Sequence, residues 1–278
     1  MLSKAEVEAR FPHIGGAWLA GMVTESDGRA EPETAVSALA RAARELGAVV
    51  IEDCAVRSLD IQAGRVRGVG TEKGRVRCGR VVLAGGAWST HFAANAGVDL
   101  PQLAVRSTAA RTEAAPDVYA ENILTPRLAL RRRADGGYTV ATGDLAEHYL
   151  SPASFKYFTK FFKLLKLSAK DVRLWPGAPK GYPGAWGAPR RWSADEVSPF
   201  ERMRVLNPAP SAAALRRIEA RLPRFFPELK DTKIVEAWAG MIDVTPDAVP
   251  TLGEDHRVKG LFIATGLSGH GFGIGPAI

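Results

Sequence analysis

Along residues 31–53, EPETAVSALARAARELGAVVIED, the apolar positions Val36, Leu39, Ala40, Ala43 and Leu46 recur three and four residues apart, the spacing of one face of a helix. Pro32 suits the first helical turn, where its missing N–H would have no partner anyway. Gly47 stops the helix, and AVVIED follows as a predicted buried strand. A helix feeding such a strand reads as a crossover onto a sheet. The period then changes. From Ala55 to Ser89 short β-branched runs are separated by Gly64 and by Lys73-Gly74, which predicts an antiparallel meander of two or three strands. The chain returns through RVVLA (80–84) to the parallel sheet, and Gly85-Gly86 form a sharp exit where backbone can approach a ligand closely.

Residues 103–231 have another texture. Strand-like pieces at 127–133 and 137–142 alternate with helical stretches at 152–167 and 211–222, and a loop rich in Pro, Gly and Trp fills 174–192. Two further strand-like runs, KIVEAWAGMI (233–242) and GLFIATG (260–266), close the chain. The pattern predicts an α/β fold: a mixed sheet with a crossover helix, assigned to residues 1–105 and 232–278, and an inserted α+β domain with an antiparallel sheet, assigned to 106–231.

Composition changes this picture little. The 278 residues are 46% hydrophobic and 24% charged, ordinary for a globular protein. No apolar run approaches the ~20 residues of a spanning helix. The N-terminus lacks the apolar centre of a secretory signal, so a cytoplasmic location is the default. Cys54 and Cys78 show no metal-like spacing and read as reduced structural thiols. The net charge is +7, but the arginines are dispersed. The densest run, Arg131-Arg132-Arg133, leads into the turn Asp135-Gly136-Gly137, and no zinc spacing or nucleic-acid signature accompanies it. A nucleic-acid partner is therefore not expected, although the charge would attract anionic ligands.

Candidate chemistry concentrates at the end. In GLFIATGLSGHGFGIGPAI an apolar strand is followed by Gly266, Gly269, Gly271, Gly273 and Gly275, then Pro276. Such a loop gathers free backbone N–H groups and the positive end of a nascent helix at one spot. It would stabilise developing negative charge, or it is simply a flexible turn ending a strand.

Four segments in order, GRAEPETAVSALARAARELGAVVIED with GRVRGVGTEKGRVRCGRVVLAGGAWS, then EAWAGMIDVTPDAVPTLGE, then GLFIATGLSGHGFGIGPAI, resemble the FAD-dependent amino-acid and amine oxidoreductases of the D-amino-acid oxidase, glycine oxidase and sarcosine oxidase type. The resemblance covers most of 1–105 and 232–278, and is loose over 106–231. It implies FAD as cofactor, with Val56 meeting the adenine through its backbone. Ala84, Gly85, Gly86 and Ala87 would lie beside the ribose and pyrophosphate, with Trp88 close by. Gly240, Met241 and Ile242 would lie near flavin and substrate, and Gly266, Leu267, Ser268, Gly269, His270, Gly271 and Phe272 along the pyrimidine side of the flavin. Met241, Ile242 and His270 are the implied catalytic positions. Trp88 also reads as a core aromatic, and His270 as a loop-stabilising residue.

The same resemblance implies oxidation of a C–N bond in an amino acid or secondary amine, a hydride passing to flavin N5 to leave an imine, and oxygen or a quinone as electron acceptor. Two departures stand out. Members carry an arginine-proline pair after the WAG segment that grips the substrate carboxylate; here Ile242-Asp243 occupy that place, and an apolar residue cannot supply arginine's bidentate clamp. Arg106, Arg127, Arg132, His148 and Tyr149 are the candidate substitutes. Members also open with a strand-turn-helix unit carrying GxGxxG, which does not open this chain, and they continue into a C-terminal helix. The expectation is an N-terminally truncated flavoprotein, with a catalytically inactive fragment acting as a binding protein as the alternative.

Finally, FKYFTKFFKLLKLSAK places Phe155, Phe158, Phe162 and Leu165 at helical spacing among Lys156, Lys160, Lys163 and Lys170. This is either a surface helix packing its aromatic face inward or a basic amphipathic helix able to contact a membrane surface or cover a site.

Overall fold

The computed structural model describes residues 1–278 and divides into two compact units, one of residues 1–48, 107–145 and 208–239, the other of 49–106, 146–207 and 240–278. The alternation of the first unit's hairpin builds its core. Strands Ala129–Arg132 and Tyr138–Ala141 pair antiparallel, Leu130 opposite Val140, and bury Leu130, Tyr138 and Val140, with Arg131 and Arg132 half-buried beside them. The helix Ala212–Phe225 lays Ile218 and Leu222 on that face, with Phe226 and Leu229 completing the cluster. Ser211 caps this helix, its hydroxyl accepting from the Ala214 amide at 3.4 Å and so satisfying one of the donors every helix start leaves free.

The second unit holds the predicted meander, Val56–Gln62, Arg65–Thr71 and Gly74–Arg77, all antiparallel. Its turns fall at Ala63-Gly64 and Gly74, where positive φ angles of 48°, 71° and 124° explain the glycines. Strand Val81–Leu83 then pairs parallel with Leu261–Thr265, which pairs antiparallel with Thr251–Glu254. Leu83, Phe92, Leu100, Leu261 and Ile263 form the core under this sheet. Strand Ala146–Tyr149 sets Glu147 opposite Arg106 and runs parallel to Val172–Trp175.

Three expectations need correction. Helix Pro32–Glu45 forms as predicted, but none of its residues is buried, and Leu39 is 68% exposed. The run 48–53 forms no strand and is exposed throughout; an apolar run becomes a strand only where a neighbour accepts its backbone hydrogen bonds, and no strand of this chain lies against it. The grouping of segments also differs from the 1–105, 106–231 and 232–278 division. Residues 146–207 join the unit of 49–106 because side chains tie them: the Trp192 indole donates to the Arg57 carbonyl at 2.7 Å and Arg57 pairs with Glu201. The amphipathic stretch forms helices Pro152–Lys156 and Phe158–Ser168; Tyr157 and Phe161 are buried, while Phe155, Phe158 and Phe162 are more than half exposed. No helix is long and apolar enough to cross a membrane.

The Arg57–Glu201 pair yields a pH prediction. Arg57 grips Glu201 through Nε at 2.9 Å and Nη2 at 2.7 Å, and the Ser198 amide and hydroxyl add two more donors. Led by Arg57, these contacts push the Glu201 carboxyl from 4.5 down to about 2. A carboxyl depressed in the folded state stabilises it above the unfolded value and loses that contribution as pH falls toward the folded one. The side chain is only 8% exposed, so about 3 kcal/mol of stability is expected to fade between about pH 5 and about pH 2. Urea midpoints across that window should fall less steeply in Glu201→Gln than in the unaltered protein.

Candidate functional site

The second unit places two cavities around one glycine turn. Strand Val81–Leu83 ends at Gly85-Gly86, Gly86 has a φ of 54°, and the Trp88 amide donates back to the Gly85 carbonyl at 3.0 Å before helix Ser89–Asn95 begins. A Cβ on Gly86 would meet no atom within 4 Å, so φ and not crowding calls for glycine there, and open space lies over the turn. The larger cavity, about 720 Å³, is lined by Val56, Ala84, Gly85 and Trp88 among apolar neighbours such as Ile51 and Phe200. The smaller, about 490 Å³, takes Ala87, Gln102, His148, Tyr149, Tyr182 and Met241 into its wall.

A hydrogen-bonded chain fixes this turn to the closing strand. Gln102, 2% exposed, donates from Nε2 to the Gly86 carbonyl at 2.8 Å. Its Oε1 lies 3.1 Å from the Thr265 hydroxyl, which makes its shorter contact, 2.8 Å, to Asp243 Oδ2. The same Asp243 oxygen accepts from the Gly266 amide at 2.6 Å, and the Asp243 carbonyl accepts from Ser268 at 3.0 Å. Asp243, read from sequence only as a departure from the family pattern, is thus the residue that shapes the closing loop. The loop has positive φ at Gly266, Ser268 and Gly269 (75°, 50° and 86°), and Ile242 lies beneath Gly269. The amides of Gly269, Gly271 and Phe272 make no hydrogen bond within the chain.

The expected site residues therefore separate. Val56, Ala84, Gly85 and Trp88 gather on the larger cavity, and Ala87, His148, Tyr149 and Met241 on the smaller. Gly86 stands in the turn between these linings, and Gly240 is exposed. None of Gly266, Leu267, Ser268, Gly269, His270, Gly271 and Phe272 lines either cavity; the last glycines form a single four-residue helical turn, Gly271–Ile274, with His270 exposed at its start.

Among the substrate candidates, Arg106 is committed to Glu147, donating from Nε at 2.9 Å and Nη2 at 2.6 Å. Arg127 and Arg132 belong to the first unit, where Arg132 donates to the Ala115 carbonyl at 3.0 Å and covers the Tyr138 ring. His148 donates from Nδ1 to the Ala104 carbonyl at 2.8 Å and accepts at Nε2 from Ser154 at 2.9 Å, so both nitrogens are used. Burial holds its imidazole below the usual histidine range, in the neutral form. Tyr149 remains available on the wall, its ring edge-on to Tyr182 at 5.9 Å. Three cavity residues had no sequence signal at all: His91, Gln102 and Arg190.

The profile of one family, DAO, FAD dependent oxidoreductase, matches residues 1–278. The chain belongs to this family. L-Amino acid deaminase from Proteus myxofaciens, solved in complex with anthranilate, superposes with a TM-score of 0.89 and 31% identity over 99% of this chain and 61% of that one. The Proteus vulgaris L-amino acid deaminase gives 0.86 and 30% over 97% and 62%. Mouse mitochondrial dimethylglycine dehydrogenase is 27% identical over 92% of this chain and 25% of that protein. The chain thus spans about a quarter of the curated dehydrogenase and about three fifths of the solved deaminases.

The α/β architecture with mixed sheets is that of these DAO family structures. FAD is the family's cofactor, and the residues present suit it. The larger cavity has apolar walls for an adenine, open space lies over Gly86 at its turn, and the closing loop carries unbonded amides that an electronegative ring edge can accept from.

Proposed function

We propose that this chain forms part of an FAD-dependent oxidoreductase that oxidises a C–N bond of an amino acid or secondary amine to an imine. FAD, when bound, supplies the hydride acceptor at flavin N5, and oxygen or a quinone takes the electrons onward. The observation that carries the reading is the pair of cavities on either side of the Gly85–Ala87 turn, one mostly apolar and nucleotide-sized, the other walled by tyrosines and histidines. Val56, Ala84, Gly85 and Trp88 would hold the nucleotide, and Gln102 and Asp243 keep the two glycine turns in place. Gly240, Gly266, Leu267, Ser268, Gly269, His270, Gly271 and Phe272 remain proposed flavin contacts, with Met241 and Ile242 facing the reacting end. His148, neutral and bonded at both nitrogens, fixes the wall instead of moving protons. Relatives named for dimethylglycine and for L-amino acids support the substrate class. The anthranilate in the Proteus myxofaciens structure suits a cavity with Tyr149, Tyr182 and Trp186 in its wall.

Two features favour a second reading, a catalytically inactive binding protein: the helix Pro32–Glu45 buries no residue and 48–53 finds no strand partner. Titration of the purified chain with FAD separates the two. Saturable binding, with a yellow band and quenched flavin fluorescence at micromolar concentration (a free energy of about −8 kcal/mol), is the expected outcome. A colourless protein that leaves flavin fluorescence unchanged would establish the second reading.

A further inference from the structure

Between Pro152 and Lys170 the chain carries five lysines and no aspartate or glutamate, and Asp171 is the first acid beyond them. Lys156 and Lys160 both reach the Asp99 carboxylate. Lys163, Lys166 and Lys170 stand exposed, outside any ion pair.

The apolar side of this stretch is only partly spent on the core. Helix Phe158–Ser168 buries Phe161, while Phe158 and Phe162, one turn apart, meet each other at 6.1 Å and remain 51% and 56% exposed. Leu167 is 76% exposed. Phe155, on the preceding helical turn Pro152–Lys156, lies 6.0 Å from Trp186, and both rings are more than half exposed. Lys166 continues the row of Phe158 and Phe162 by another turn, where its aliphatic stem can follow an apolar layer while its ammonium stays in water. Aromatic rings rimmed by unpaired lysines match a boundary that is apolar beneath and negative above, that of acyl chains and acidic headgroups. A protein partner would have to set a carboxylate opposite each lysine, whereas acidic lipids present negative charge across the whole surface. No helix is long and apolar enough to cross a membrane, so the contact lies in the plane of the interface.

We propose that residues 152–170, together with Trp186, dock this protein on an anionic lipid surface, with Phe155, Phe158, Phe162 and Trp186 entering the headgroup boundary and Lys163, Lys166 and Lys170 meeting the lipid phosphates. The docking needs neither FAD nor an amine and stands apart from the proposed reaction. It brings one wall of the smaller cavity to the lipid boundary, because Pro152, Ala153, Lys156 and Trp186 line that cavity.

Co-sedimentation of the full chain with lipid vesicles tests the docking. Phosphatidylcholine vesicles containing about 30% phosphatidylglycerol should pellet the protein, and pure phosphatidylcholine should bind it about tenfold more weakly or less. Salt at about 0.5 M, which shortens the screening length to a few ångströms, should release most of it. A lysine beside an acidic bilayer is worth about fivefold in partitioning, so Lys163→Gln combined with Lys166→Gln and Lys170→Gln should weaken binding by about 100-fold. Phe158→Ser with Phe162→Ser should weaken it by about tenfold or more through the lost apolar contact. Arg75→Gln with Arg77→Gln, at exposed arginines of the strand Gly74–Arg77, should change it little, which separates this surface from diffuse attraction to a chain of net charge +7. All the altered side chains are exposed, and a thermal melt verifies that each variant keeps the fold. Equal binding to neutral and acidic vesicles, equal losses in the lysine and arginine variants, or no sedimentation at all overturns the proposal. So does a dimer in sizing chromatography that Phe158→Ser with Phe162→Ser dissolves while vesicles stay unbound, which would assign the surface to a second copy of the chain.

Discussion

Glu147→Ala is expected to destabilise the protein by about 3–5 kcal/mol, the range for removing one partner of a buried ion pair. Glu147 is 2% exposed and holds Arg106, whose side chain is 13% exposed, through two donors, while its other oxygen accepts from the Trp175 indole at 3.1 Å. Deleting the carboxylate leaves a largely buried guanidinium without that counter-charge. The same guanidinium lies over the Tyr149 ring at 5.6 Å, so the cavity wall moves with it. The pair itself is no source of large net stability, because desolvation offsets the attraction. Replacing both partners, Glu147→Leu with Arg106→Met, should therefore cost much less than the sum of the single changes. Urea unfolding of the four proteins gives the coupling directly. A loss below about 1 kcal/mol in Glu147→Ala would place the pair among solvated surface contacts.

Gly266→Ala should cost about 2–4 kcal/mol, because two penalties coincide: a left-handed backbone that disfavours any Cβ and an overpacked contact. The backbone φ is 75°, and the added Cβ would stand 2.4 Å from the Thr245 methyl. Relief of that clash moves the Gly266 amide off Asp243, so the whole closing loop should loosen. Gly273→Ala is the control, since a Cβ there meets nothing within 4 Å and φ is not positive. Melting temperatures and FAD titrations of both variants distinguish a local geometric demand at Gly266 from a general intolerance of the glycine-rich tail. Equal behaviour of the two variants would remove Gly266 from its proposed role.

The elements that sequence made legible are those whose signals are local. Pro32 and Gly47 bracket their helix, Gly64 and Lys73-Gly74 set the meander, and Asp135-Gly136-Gly137 turns the hairpin. What failed depends on partners far along the chain. The run 48–53 carries the right residues for a strand but pairs with none, and Phe158 and Phe162 carry the right spacing for a buried face but stay more than half exposed, their rings meeting each other at 6.1 Å. The site divides along the same line. Ala84 to Trp88 were visible as a glycine turn after a strand. Arg106 looked available until strand pairing set Glu147, 41 residues on, opposite it. Asp243 looked like a lost arginine-proline pair, and its gain, a carboxylate shared by Thr265 and Gly266, appears only in three dimensions.

Gln102 has its side chain in the wall of the smaller cavity and its amide on Gly86, the residue after one that lines the larger. Occupancy of either chamber that shifts this one amide must therefore be felt in the other. Linkage makes such an influence mutual: whatever factor a guest in the first contributes to affinity in the second, the second returns in equal measure. Two compartments sharing a single swivel behave thermodynamically as one receptor with two ligands.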